Sequence, residues 1–194
     1  MSIRSVQVDI PKIFYCDYTG GPFEKCIQCE RQLREEGIPY LIEKALKPYG
    51  RYASYATIFE YAVCLTCADG MKSMLSKESL TNLMEYFQQN VGFNPHRQLL
   101  VSSEDYDPIK WIEHCMVSGR HVEQLAECQI YAYCVGEQLV FTEFPYMISG
   151  PVLDEVVDLL SAETKDELDN FKNEVVDGPS EFQDLLKAGP KVFI

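Results

Sequence analysis

Apolar residues are spaced in two ways along this chain: in short dense runs that suit strands, and at intervals of three or four that suit helices. Tyr40-Leu41-Ile42-Glu43-Lys44-Ala45-Leu46 and Thr57-Ile58-Phe59-Glu60-Tyr61-Ala62-Val63 are of the first kind. The turn chemistry of Lys47-Pro48-Tyr49-Gly50 between them predicts a hairpin. Met71, Met74, Leu75, Leu80, Leu83, Met84 and Phe87 then recur at helical spacing, and Ser76 with Glu78 behind it suits a helix cap. Later, Gln129–Val135 and Gln138–Phe144 flank Gly136-Glu137 as a second compact hairpin, with Tyr146-Met147-Ile148-Ser149 following. Val152, Val156, Val157, Leu159, Leu160, Leu168 and Phe171 give the helical stretch beyond it one apolar side.

Eight cysteines punctuate this pattern, and four form two C-x-x-C pairs, Cys26/Cys29 and Cys64/Cys67. Two intervening residues let one tight knuckle aim both sulfurs at a point about 2.3 Å from each, as tetrahedral zinc requires. Four disulfides are the alternative for an exported chain, but residues 1–20 lack the apolar run of a secretion signal, so the expected compartment is the reducing cytoplasm. A thioredoxin-like redox pair is a further alternative, because Cys64 and Cys67 sit between a strand and a helix. Redox chemistry has no need of a second pair upstream, whereas zinc does. Four-cysteine zinc is therefore the preferred assignment, with Cys26, Cys29, Cys64 and Cys67 as ligands of one structural ion.

The order knuckle, hairpin, knuckle, helix over residues 14–90 resembles the treble-clef and zinc-ribbon group of four-cysteine domains. The resemblance is to a structural group and carries no activity. It implies that the second knuckle sits at a helix N-terminus, whose dipole favours a thiolate such as that of Cys67.

The second half reads as a worn copy of the first. Cys115-Met116-Val117-Ser118 keeps knuckle spacing, with serine in place of the second sulfur. Tyr146–Ser149 aligns with Tyr61–Cys64 at an offset of 85, and Leu160–Thr164 aligns with Leu75–Ser79 at the same offset. The predicted class is thus α+β with two tandem treble-clef-like modules, residues 1–92 and 93–178, the second degenerate and metal-free. Residues 179–194 form a tail, either frayed or docked through Phe182, Leu185 and Leu186 as one helical turn. His114, Cys115, His121, Cys128 and Cys134 are the candidates for a second metal site, although their spacing matches no compact knuckle.

Charge narrows the function. The chain has 194 residues with 17 basic and 30 acidic side chains, net −13, and the excess lies in the second half. Residues 91–150 carry −5 and residues 151–194 carry −7. Nucleic acid is excluded as a partner because phosphate-tracking surfaces need clustered Lys and Arg. A membrane span is excluded because no run approaches about 18 apolar residues. No phosphate-binding glycine loop, serine-nucleophile elbow or H-E-x-x-H motif is present, and Glu104, Asp105 and Asp107 read as a solvated loop. Trp111 and Tyr61 are expected in the core, with Tyr49, Tyr52 and Tyr55 as contact candidates. These features point to a non-enzymatic protein-binding module whose acidic second half suits a basic partner, with a thiol–disulfide oxidoreductase as the alternative.

Overall fold

The computed structural model describes residues 6–91 and 94–176, and the expected tail lies outside them. Its centre is the predicted hairpin of β2 (Pro39–Tyr49) and β3 (Ser54–Cys64), running from Tyr40 opposite Cys64 to Tyr49 opposite Ser54. Strand β4 (Cys128–Val135) pairs antiparallel with the other edge of β2, from Pro39 opposite Val135 to Leu46 opposite Cys128. Both halves of the chain thereby share one sheet.

The second hairpin differs from its sequence expectation. Instead of one strand to Phe144, the partner of β4 is split into β5 (Gln138–Val140) and β6 (Tyr146–Ser149). The intervening chain is drawn off the sheet. Phe141 is buried edge-on against Trp111, with ring centroids 4.7 Å apart. The Arg97 guanidinium, stacked 3.9 Å from the Trp111 ring, donates to the carbonyls of Thr142, Glu143 and Pro145. Strand β1 (Gln7–Asp9) pairs with β5 and completes a six-stranded antiparallel sheet.

Six helices accompany the sheet among the described residues: α1 (Leu65–Lys72), α2 (Lys77–Asn90), α3 (Pro95–Ser102), α4 (Pro108–Ile112), α5 (Gly150–Asp158) and α6 (Ala162–Val176). The fold is mixed α+β. Ser76 caps α2 as its sequence predicts, accepting the Ser79 N–H at 3.1 Å. Neither α3 nor α4 was expected, yet both begin with an acceptor side chain before proline, Asn94-Pro95 and Asp107-Pro108. Asn94 accepts the Arg97 N–H at 3.2 Å and Asp107 the Ile109 N–H at 2.9 Å.

The strand register sorts side chains onto two faces. Tyr61, Glu43, Tyr131 and Tyr146 lie directly opposite one another across β3, β2, β4 and β6, on the face covered by helices. Lys44 points the other way, fully buried, and holds the loop before the first knuckle. Its Nζ donates to Tyr15 O (2.6 Å) and pairs with Glu60 (2.9 Å) and Asp17 (3.1 Å). A long charged side chain is tolerated there because three oxygens replace its water. Trp111 and Tyr61 are core residues, as expected. Of the tyrosines read as contact candidates, Tyr52 donates to Ile112 O at 2.8 Å, Tyr55 contacts Asp17, and Tyr49 stays 57% exposed.

Candidate metal centre

Cys26 and Cys29 sit on a tight turn held by backbone bonds: Cys26 N–H to Arg31 O (2.9 Å) and Glu30 N–H to Cys26 O (2.9 Å). Glu30 takes a left-handed φ of 56°, which closes the knuckle. Ile27 N–H donates to Ala62 O at 2.9 Å, tying the turn to the end of β3. That end delivers Cys64 as the N-cap of α1, and Cys67 follows within its first turn. The Cys64 N–H donates to Cys26 Sγ at 3.3 Å.

The four sulfurs lie within 4.8 Å of one another, and Cys29 and Cys64 are 3.7 Å apart. Tetrahedral zinc with bonds of about 2.3 Å has sulfur–sulfur edges of about 3.8 Å. None of the four is in a disulfide. The donor set therefore fits a thiophilic tetrahedral ion, zinc above all. Cys26 and Cys64 are buried, and Cys29 faces solvent.

Protonation of the thiols is uneven. The Arg31 backbone N–H and then the Cys26 and Cys67 thiols bring Cys29 down to about 7. Burial pushes Cys64 and Cys67 upward. The helix-dipole support expected for a Cys67 thiolate is thus outweighed by desolvation and by the neighbouring thiols. This pattern does not favour the oxidoreductase alternative. Such an enzyme needs an activated thiol at the helix start, and here the low-lying thiol is in the upstream loop. The four cysteines that the sequence offers as ligands come together within metal-binding distance.

The second set of candidates does not converge. Among the described residues, the four-cysteine group is the one cluster of three or more Cys, His, Asp or Glu side chains within metal-binding distance. Cys128 and Cys134 are buried strand residues whose thiols burial pushes up to about 12. His114 and His121 instead gather with His96, which sequence spacing had not connected to them. The ring centroids are 3.9 Å apart for His96 and His114, and 4.8 Å for His114 and His121.

Cys115 repeats the backbone geometry of Cys26 bond for bond. Its N–H donates to Arg120 O (2.9 Å), Gly119 N–H to Cys115 O (2.9 Å), and Met116 N–H to Met147 O (2.8 Å). Gly119 takes the left-handed φ, 68°, that Glu30 takes in the first knuckle. The Ser149 N–H donates to Cys115 Sγ at 3.3 Å, and Ser149 is the N-cap of α5 as Cys64 is of α1. Burial would raise the Cys115 thiol, but hydrogen bonds from Ser118 and Ser149 outweigh it and hold the thiol below its ordinary value.

Comparison with protein-family models, with curated protein sequences and with solved structures finds no match to this chain. No helix among the described residues is long and apolar enough to cross a membrane.

Proposed function

We propose that this chain is a non-enzymatic protein-binding module whose first half is pinned by one structural zinc ion and whose second half is a treble-clef-like copy that has lost its metal. The observation that carries the zinc assignment is the mutual approach of four unbridged sulfurs within 4.8 Å. Four thiolates leave no open coordination position, so the ion would act by closing a loop that joins Cys29 to Cys64. A zinc–thiolate centre suits a reducing compartment, and the cytoplasm is our assignment.

The copied second half is supported by the matching bonds around Cys26 and Cys115. In that alignment Ser118, Ser149 and Val152 stand where Cys29, Cys64 and Cys67 hold the metal. The role of the ion would pass to packing: Val152, Ile148 and Met147 are buried there. The partner we infer is a basic protein, because the second half carries nearly all of the net negative charge. Its binding should weaken with added salt.

Elemental analysis of the purified protein tests the centre. One zinc per chain, lost together with folded structure when a strong chelator is added, is the expected result. A metal-free protein that keeps its full thermal transition, or a zinc-dependent turnover, would overturn the proposal.

A further inference from the structure

A cavity of about 130 Å³, partly open to solvent beside Lys72, lies between the helices and the sheet, walled from both halves of the chain. Leu83 and Phe87 of α2 form one side and Leu153 and Val156 of α5 another, over a floor made by the rings of Tyr131 and Tyr146. Interiors seldom leave voids larger than a water molecule, and apolar cavities of about 150 Å³ stay dry and accept benzene. Of the eleven lining side chains, eight are aliphatic, thioether or phenyl groups, so water has few partners inside.

The polar groups near it select among ligands. Tyr131 donates its hydroxyl to Gln129 Oε1 at 2.6 Å, whereas Tyr146 makes no side-chain hydrogen bond to any described residue. Burial, with Glu43 nearby, keeps both phenols protonated, so Tyr146 has a proton to donate. An anion entering the cavity would give up its hydration to a mainly apolar lining whose one ammonium, on Lys72, is already paired to Asp69. Lys72 lines the cavity with a half-exposed ammonium paired to Asp69, which disfavours a cation. A neutral guest remains.

We propose that this cavity binds a small, neutral, mainly aromatic molecule the size of indole, seated against the two tyrosine rings. Because both halves contribute walls, such a guest would clamp α2 to α5 across the junction. The site is distinct from the metal centre, whose four cysteines line no part of it, although α1 carries Cys67 in its first turn and Met71 and Lys72 in the cavity wall.

Indole titrated into the zinc-loaded full-length protein, followed by amide chemical shifts, tests this. Saturable binding is expected, with the largest shifts at Phe87, Ile148 and Leu153. Val156→Phe, which fills the cavity, should weaken binding at least tenfold. Leu168→Ala, which enlarges it, should retain binding, and benzoate should bind at least tenfold more weakly than indole. Failure of both the wild type and Leu168→Ala to bind indole would overturn the proposal. Equal affinity in a folded Val156→Phe, or equal affinity for benzoate, would do the same.

Discussion

The hydroxyl oxygens of Ser76 and Ser161 lie 2.8 Å apart, although 85 residues separate them in the chain. Ser79 and Thr164, also 85 residues apart, meet at 2.9 Å. The Ser76 N–H donates to Thr164 Oγ1 and the Ser161 N–H to Ser79 Oγ, each at 2.9 Å. Shifting either bond by 85 positions yields the other, the relation expected of a local two-fold axis. The starts of α2 and α6 thereby abut, and their unsatisfied N–H groups are answered by each other's hydroxyls.

Removing either hydroxyl exposes that dependence. Ser76→Ala and Ser161→Ala should each cost about 1–2 kcal/mol of stability, the range of a lost N-cap. Because the residues share partners, the double variant should depart from additivity by about 0.5 kcal/mol or more. Urea denaturation of all four proteins measures this, and strict additivity would show that the two caps act separately.

Metal binding should release protons. Cys64 and Cys67 lie above the ordinary thiol value, so both are protonated at neutral pH in the metal-free protein and must ionise to bind zinc. Calorimetric titration of zinc in buffers of different ionisation enthalpy should give a release of two or more protons near pH 7. Affinity should fall as the pH is lowered. A proton count near zero would mean that these thiols are not ligands.

If the second knuckle is a worn copy, its metal can be restored. Ser118→Cys, Ser149→Cys and Val152→Cys together with native Cys115 recreate the ligand order of the first site. The triple variant should bind a second zinc ion, read by elemental analysis and by a cobalt–thiolate absorption doubled in intensity. Failure to gain metal in a folded triple variant would count against the copied geometry.

His114 sets an acid limit. Burial, followed by the neighbouring His96 and His121 rings, lowers the pKa of His114 in the folded protein. Facing charges are the Glu113–Arg51 pair at 3.0 Å, Glu123 at 3.6 Å from His121 Nδ1, and Lys110 paired to Asp105 at 2.6 Å. The unfolded chain binds the His114 proton more readily, so stability is full above about pH 6.5 and declines as the pH falls toward the lower folded value. Thermal midpoints between pH 8 and pH 5 should show that decline, flattened in His114→Gln. An unchanged slope would remove His114 as its source.

Lys44 is the other buried charge with a measurable consequence. Lys44→Ala leaves Glu60, whose side chain is 12% exposed, without its counter-ion. Breaking a buried pair from one side costs about 3–5 kcal/mol. Chemical denaturation should show a loss of that order, and Lys44→Ala with Glu60→Gln should recover part of it. A loss below about 1 kcal/mol would place the pair in the surface class.

Local chemistry made much of this protein legible from its sequence. The C-x-x-C spacing named all four sulfurs, because a knuckle is a local turn, and the dense apolar run before Cys64 located β3. Ser76 announced α2 because a cap is satisfied within three residues. What lay beyond sequence was decided by contacts between distant segments. Nothing in the alternation of Gln138–Phe144 reveals that Arg97 will hold the carbonyls of residues 142–145 and split the strand. His96 joins His114 and His121 only because α3 folds back on the turn after α4. Lys44 reads as an ordinary strand cation until Tyr15, Asp17 and Glu60 supply its oxygens. The sequence determined which groups could bond their near neighbours. The tertiary structure decided which remote groups would share one sheet, since burial and pairing across the chain depend on the whole fold at once.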